Sequence, residues 1–208
     1  MIQVRDTFQV KFGKIDEAIE LFRRFPREVL AELDVPIRFE LRSDLSGPMF
    51  LLEETWQIES LDAWQRTLHA TFARPEFQEW FCHFQQHIED GQREFYNLEQ
   101  ANDGWSAEGA LIVRTCFRAR EWRIREVVEL AAACGAMLED CGVGQRPRVL
   151  TDASGRMFNA VIEIETPDLK VWDDHRWSMF HDPQFQVWFG RLRGCVVRGS
   201  HEFYRVMG

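Results

Sequence analysis

Cysteine is scarce and odd in number, five in 208 residues. The first residues, MIQVRDTFQV, alternate apolar and polar side chains and lack the apolar core of a signal peptide. Together these argue against a disulfide framework and for reduced thiols in the cytoplasm. No apolar run approaches the ~20 residues that span a bilayer. Basic residues are outnumbered, 25 Lys and Arg against 34 Asp and Glu, and the net charge of −9 argues against nucleic acid or an anionic membrane as partner. There is no P-loop, no Gly-x-Ser-x-Gly and no His-Glu-x-x-His. Gly142-Val143-Gly144 continues into Gln145-Arg146-Pro147, without the third glycine and the helix of a dinucleotide site. Nucleotide-dependent and serine-hydrolase chemistries therefore fall away.

What the chain does contain is internal repetition, the feature to look for before any other. PEFQEWF (75–81) returns as PQFQVWF (183–189), REFY (93–96) as HEFY (201–204), and DLSGPMF (44–50) as DASGRMF (152–158), all at an offset of 108. Read without gaps, residues 1–100 match 109–208 at 21 positions, where average composition gives about 6 by chance. The matches fall on aromatics, Pro and Gly, which fix cores and turns. The expected organisation is one repeat at 1–98, a linker at 99–108 whose Asn, Asp, Gly and Ser are loop chemistry, and a second repeat at 109–208.

Each repeat reads as β-α-β-β-α-β. Ile2, Val4, Phe8 and Val10 alternate as a strand, and Ile15 to Leu33 recur at helical spacing with a kink or break at Pro26. Ile37, Phe39 and Leu41, the turn SDLSGP, and Phe50, Leu52, Trp56 and Ile58 make a hairpin. Ser60 is placed to cap a helix carrying Leu61, Trp64 and Leu68, and Pro75 opens another with Phe77, Trp80, Phe81, Phe84 and Ile88 on one face, ended by Gly91. Glu94–Leu98 closes the unit as a strand. This is the ferredoxin-like split β-α-β. Its sheet has helices on one face only, so the α+β fold predicted is two tandem ferredoxin-like units pairing sheet to sheet within one chain, an intramolecular dimeric α+β barrel. A higher oligomer stays open.

The stretch HDPQFQVWF, preceded by Arg176, resembles the R-x5-D-P-x-[W/F]-x-x-F signature of the NIPSNAP family, carried here by Arg176, Asp182, Pro183, Phe185 and Trp188–Phe189. The first repeat departs from it, with Arg74 for the Asp and Leu68 for the Arg. The resemblance implies the dimeric α+β barrel superfamily, which also holds antibiotic-biosynthesis monooxygenase-like proteins. It implies a fold far more than an activity.

Two carboxylates, Asp6 and Glu54, interrupt the apolar face that should meet the helices; the second repeat has Arg114 and Ile162 at the aligned positions, which confines the pair to the first half. On a dry face two such groups do not both ionise easily, which is how a general acid or base near neutral pH is made. His69 on the following helix is a third candidate, and Trp56 lies beside them as a ligand contact. Strand ends would instead put Asp6 and Glu54 in water. The opposite face carries Arg5, Thr7, Arg38, Glu40, Arg42, Glu53 and Thr55, with Thr115, Arg146, Arg148, Asn159 and Glu163 from the second repeat. Arg38 and Arg146 could fork onto a carboxylate ligand; ion pairs between the sheets are the plainer reading. Glu79, His83 and His87 share a helix face but read as solvated, so no metal is expected. No cofactor is expected either; for haem, which related folds can bind, the histidines that could face a pocket, His69 and His175, align with Trp177 and Thr67 and so have no counterpart in the other copy.

Two functions fit. One is a small-molecule enzyme of the cofactor-independent monooxygenase or isomerase type, taking a proton from an activated carbon acid with Asp6 or Glu54. The other is a non-catalytic, NIPSNAP-like binding or interaction protein. A cavity of ~300 Å³ or more beside the two acids favours the first, and a packed core the second. Repeat-matched aromatics should be structural in both. Trp188→Ala is expected to cost about 3–5 kcal/mol of stability by chemical denaturation.

Overall fold

The computed structural model describes residues 1–31, 38–101, 104–140 and 147–207; Arg146 lies outside them, and Arg38 is described by its backbone alone. In chain order the elements are β1 (Ile2–Val10), α1 (Ile15–Phe25), a π-helical turn (Pro26–Leu30), β2 (Arg38–Asp44), β3 (Leu51–Ile58), α2 (Leu61–Phe72), α3 (Pro75–Phe84) and β4 (Ile88–Gln100). The second half repeats the order with β5 (Leu111–Ala119), α4 (Ile124–Asp140), β6 (Arg148–Asp152), β7 (Asn159–Thr166), α5 (Leu169–His181), α6 (Pro183–Cys195) and β8 (Val196–Val206). Pro26 ends α1, as its missing N–H requires, and the chain continues in the wider turn.

Each half forms an antiparallel sheet, β4-β1-β3-β2 and β8-β5-β7-β6, and the pairings β2·β8 and β4·β6 join them into one closed eight-stranded barrel. The two joins exchange when the halves are swapped, so a pseudo-two-fold relates the ferredoxin-like units. The repeated Asp-x-Ser-Gly-x-Met-Phe turn makes the joins. Ser46 Oγ accepts from Phe203 N (3.0 Å) and Ser154 Oγ from Phe95 N (2.8 Å), so each half's hairpin clasps the other half's last strand. Asp44 and Asp152 accept from Leu51 N and Asn159 N across the same turns. Phe50 and Phe158 hold positive φ there, +60° and +63°, a strain that matched turn hydrogen bonds sustain in both halves.

Three details differ from the reading by spacing. Gly91 does not end a helix; it lies within β4 opposite Phe8, where a Cβ would stand 3.2 Å from the Phe8 ring. Gly199 meets Phe117 in the same way. These glycines make room for a ring on the helix side of the sheet. Secondly, the repeats do not match without a gap. Val4 pairs with Phe95 and Val113 with Phe203, so the offset is 109 along the first strand and helix of each half and 108 from the second strand onward. Thirdly, that slip exchanges two assignments. Arg114 matches Arg5 and lies inside the barrel, whereas Thr115 matches Asp6 on the helix side, where its hydroxyl is 2.8 Å from His201 Nδ1. A one-residue slip turns every side chain of a strand to the other face.

Both helix-side cores use the same supports. Trp80 Nε1 donates to Leu21 O (3.0 Å) and Trp188 Nε1 to Leu130 O (2.7 Å), tying the last helix of each half to the first. Ser60 and Asp168 cap α2 and α5. Asp182 of the NIPSNAP-like stretch accepts from Gln184 N and Phe185 N at the start of α6, so these signature residues begin a helix. The first core is packed with rings (Phe22, Phe25, Trp56, Trp64, Phe77, Trp80, Phe84), the second with Val127, Leu130, Ala131, Leu138, Ile162 and Ile164 around fewer rings.

The barrel interior holds ion pairs, as the plainer reading has it. Arg5 donates to Glu53 (2.6 Å), Glu94 (3.0 Å) and the Tyr204 hydroxyl (3.0 Å). Arg42, wholly buried, donates to Glu40 (2.6 Å), Glu53 (2.9 Å) and, across the halves, Glu163 (3.1 Å). Glu163 also accepts from Arg114 and Arg148, and these cations hold its carboxyl well below the ordinary carboxylate range against the pull of burial. Removing a shared buried anion leaves three cations short of a counter-charge. Glu163→Ala should therefore lose about 3–5 kcal/mol in a urea titration, with the circular dichroism of the folded baseline unchanged.

Candidate functional site

Asp6 on β1 and Glu54 on β3 are directly opposed in the strand register and project toward the helices. Both are buried. Arg93, on the other neighbour of β1, grips Asp6 with two parallel bonds, Nε to Oδ1 and Nη2 to Oδ2, each 2.7 Å. Its guanidinium lies 4.7 Å from the Trp64 ring centroid and stays 37% exposed, so it stands between the acids and solvent. Glu54 has no such clamp: its Oε1 is buried without a hydrogen-bond partner. Burial, and secondly the charge of Asp6, push the Glu54 carboxyl well above its usual range, and Arg93 opposes only in part. Burial raises Asp6 as well, against the hydrogen bonds and charge of Arg93. Of the two acids, Asp6 is the one clamped by a cation, and Glu54 is the one pushed well upward.

A cavity of about 100 Å³ adjoins the pair, walled by Phe8, Phe22, Trp56, Trp64, Thr67 and Thr71 among others. It is smaller than the ~300 Å³ at which drug-sized ligand pockets begin, yet the core beside the acids is not filled. Trp56 lines it as expected, and its indole N–H lies beside Glu54, where with Arg93 it opposes the rise of that carboxyl. His69 does not join. Trp64, Thr67, Leu68 and Thr71 form the inward face of α2, and His69, one residue past Leu68, turns about 100° away into solvent. Arg146 lies outside the described residues, and Arg38 is described by its backbone alone. Asp6, Glu54 and Trp56 are brought together; Arg93 was missed. Its signal was present, since Arg93 is the one residue that changes between REFY and HEFY.

The second half keeps the position and not the chemistry. Thr115, Ile162 and His201 stand where Asp6, Glu54 and Arg93 stand in the first. Glu79, His83 and His87 do not stay together on one helix face, because α3 ends at Phe84. His87 lies beyond α3 and reaches Glu17 (Nε2 to Oε2, 3.0 Å), and no group of three ligating side chains among the described residues could hold a metal ion.

No family model and no curated protein matches the chain. Solved structures do. A candidate monooxygenase from Fusobacterium nucleatum aligns at TM-score 0.76 and 10% identity over 100% of this chain and 92% of its own. A heme-binding protein from Thermus thermophilus aligns at 0.59 and 12%, covering 100% and 91%. A NIPSNAP domain protein from Burkholderia xenovorans spans 51% of this chain with the whole of its own, at TM-score 0.43 and 15% identity. The first two likenesses show the fold alone: a ferredoxin-like α+β barrel, formed here within one chain. No helix among the described residues is long and apolar enough to cross a membrane.

The upward shift of the Glu54 carboxyl has a consequence for stability. A carboxyl whose pKa is raised on folding stabilises the fold fully below its unfolded value of 4.5, and the contribution is lost as pH rises through the folded value. Glu54→Gln has no proton to lose. The melting temperature of wild type should therefore fall relative to Glu54→Gln as pH is raised from 4.5 into the neutral and alkaline range; parallel melting curves would mean that Glu54 is ionised in the fold.

Proposed function

We propose that the chain binds one end of a small, largely aromatic molecule in the cavity beneath α2 and α3 and moves a proton on it, as cofactor-independent monooxygenases and isomerases do. The observation that carries this reading is Glu54, a buried carboxyl with a free oxygen on the wall of an apolar cavity. Ile162 shows that an apolar side chain serves at this position of the fold. A buried acid costs stability there, and the return is a proton acceptor stronger than an exposed carboxylate. In the proposed step an ionised Glu54 removes a proton from an activated C–H, the C–H electron pair becomes an enolate, and Arg93 supplies the nearest positive charge. Asp6 orients Arg93, and it is the charge of Arg93 that opposes the rise of the Glu54 carboxyl.

The cavity volume favours a second reading in which the same site binds without catalysis, since about 100 Å³ admits a ring and little more. The same proposal takes 1–98 and 109–208 as duplicated copies joined by 99–108, in a cytoplasmic protein that self-pairs internally. The support is the common element order and the repeated turn and aromatic segments, DLSGPMF with DASGRMF and PEFQEWF with PQFQVWF.

Indan-2-one, a small aromatic carbon acid, separates the two readings. Its α-hydrogen exchange in D₂O is followed by NMR with wild type and Glu54→Gln, and binding by thermal shift, where a ligand at 100 times its Kd adds about 2.7 kcal/mol. Proton transfer by Glu54 accelerates exchange in wild type alone, more so as pH rises. Binding with no difference in exchange between the two proteins leaves the non-catalytic reading.

A further inference from the structure

A second cavity, of about 340 Å³, opens at the barrel mouth formed by the ends of β1 and β5, on the side of the sheet away from Glu54. Its rim is basic in a chain of net charge −9. Arg118 on β5, Arg198 on β8 and Arg156 in the turn between β6 and β7 all line it.

Arg118 and Arg198 are directly opposed in the β5·β8 register. Like charges opposite one another on neighbouring strands are unfavourable unless something sits between them. No acid does. None of the three rim arginines makes a side-chain hydrogen bond or ion pair within the described residues. The two carboxylates that reach the mouth are already engaged. Glu94 accepts from Arg5, Gln92 and the Tyr96 hydroxyl, and Glu202 accepts from the Tyr204 hydroxyl and stands 3.8 Å from Arg5. Deeper in, Arg114 lines the same cavity, buried, with Nε and Nη2 lacking partners while Nη1 holds Glu163. The cavity thus has positive charge at its rim and unspent guanidinium N–H groups at its floor.

The first half supplies a control within the same molecule. Its residues matching Arg118, Arg198 and Arg156 are Gln9, Asp90 and Pro48, and Gln9 opposes Asp90 in the β1·β4 register. The fold therefore does not require the arginines.

We propose that this mouth binds a small organic oxyanion with two or more negative charges, a polycarboxylate or a phosphate compound. Guanidinium forks match both oxyanion types, and a multivalent anion relieves the repulsion between Arg118 and Arg198. This site is independent of the proton-transfer reading.

The probes are citrate and inorganic pyrophosphate, titrated by calorimetry at fixed ionic strength with chloride as the reference salt. Wild type should bind at least one of them, with affinity falling as salt is raised. Arg118→Gln with Arg198→Gln should weaken binding tenfold or more, and Arg156→Gln less. Binding of citrate alone assigns a carboxylate ligand and of pyrophosphate alone a phosphate one. The double variant should also melt no lower than wild type without ligand, since it removes a like-charge pair. Failure of both anions to bind more tightly than chloride, or equal binding by wild type and the double variant, overturns the proposal. Glu54→Gln should bind these anions like wild type, so this result is read separately from that of the first site.

Discussion

Each four-stranded sheet carries helices on one face only, and covering the other face is the constraint from which the rest of the molecule follows. Pairing β2 with β8 and β4 with β6 covers both bare faces at once and removes all four sheet edges. The clasp of each Ser-Gly turn on the other half's last strand makes that closure specific. It also fixes what the interior becomes. Arg42, Arg114 and Arg148 are buried there with Glu40, Glu53 and Glu163, groups that are costly to dehydrate singly. They persist because each arginine has carboxylates from neighbouring strands within reach, and Arg42 to Glu163 crosses from one half to the other. Such a network adds little net stability over apolar packing, yet it penalises any other register, because a slipped strand would strand a charge.

Closure of the barrel leaves the helix-side layers free to diverge. The second half packs its layer with aliphatic side chains, Ile162 and Ile164 on the sheet against Val127 and Ala131 on α4. The first half places Trp56 and Phe22 at the positions of Ile164 and Ala131. Large planar rings meeting at steep angles, such as Phe22 and Phe84 at 83°, fill space less evenly than branched aliphatics, and the remaining gap lies beside the two acids. Burial beneath that aromatic lining is what pushes the Glu54 carboxyl upward. Packing, cavity and titration are thus one arrangement, and Arg93 is the part of it that faces out.

Most of the architecture was legible from the sequence because repetition and period-two alternation report on cores and turns, which both halves must keep. Trp80 and Trp188, Ser60 and Asp168, and the Ser-Gly turns all do the same work twice. The alternation of β1 also placed Asp6 among apolar neighbours, and β3 did so for Glu54. His69 failed for a geometric reason: one residue on a helix is about 100° of rotation, so a helix face is decided by single positions that spacing alone resolves poorly. The helix end at Gly91 failed because glycine serves two purposes, ending helices and admitting a neighbour's ring, and only the partner strand shows which.

Arg114 is the more instructive error, because it bears on how a site is found in a two-fold chain. A site confined to one half must be built from residues that differ between matched positions, so everything rests on the matching. Offset by 108, Asp6 faces Arg114 and Thr7 faces Thr115, which makes an acid-to-base change on the helix side. Offset by 109, Arg5 matches Arg114 inside the barrel and Asp6 matches Thr115. The true differences then sort by face. Asp6, Glu54 and Arg93 against Thr115, Ile162 and His201 all lie on the helix side of the first half. Gln9 and Asp90 against Arg118 and Arg198 lie at the barrel mouth and give the charge to the second half. A single inserted residue, invisible where strands and helices tolerate drift, had merged two separate departures from symmetry into one. Strand register separates them, because hydrogen-bond partners, unlike identities, leave no freedom to slide.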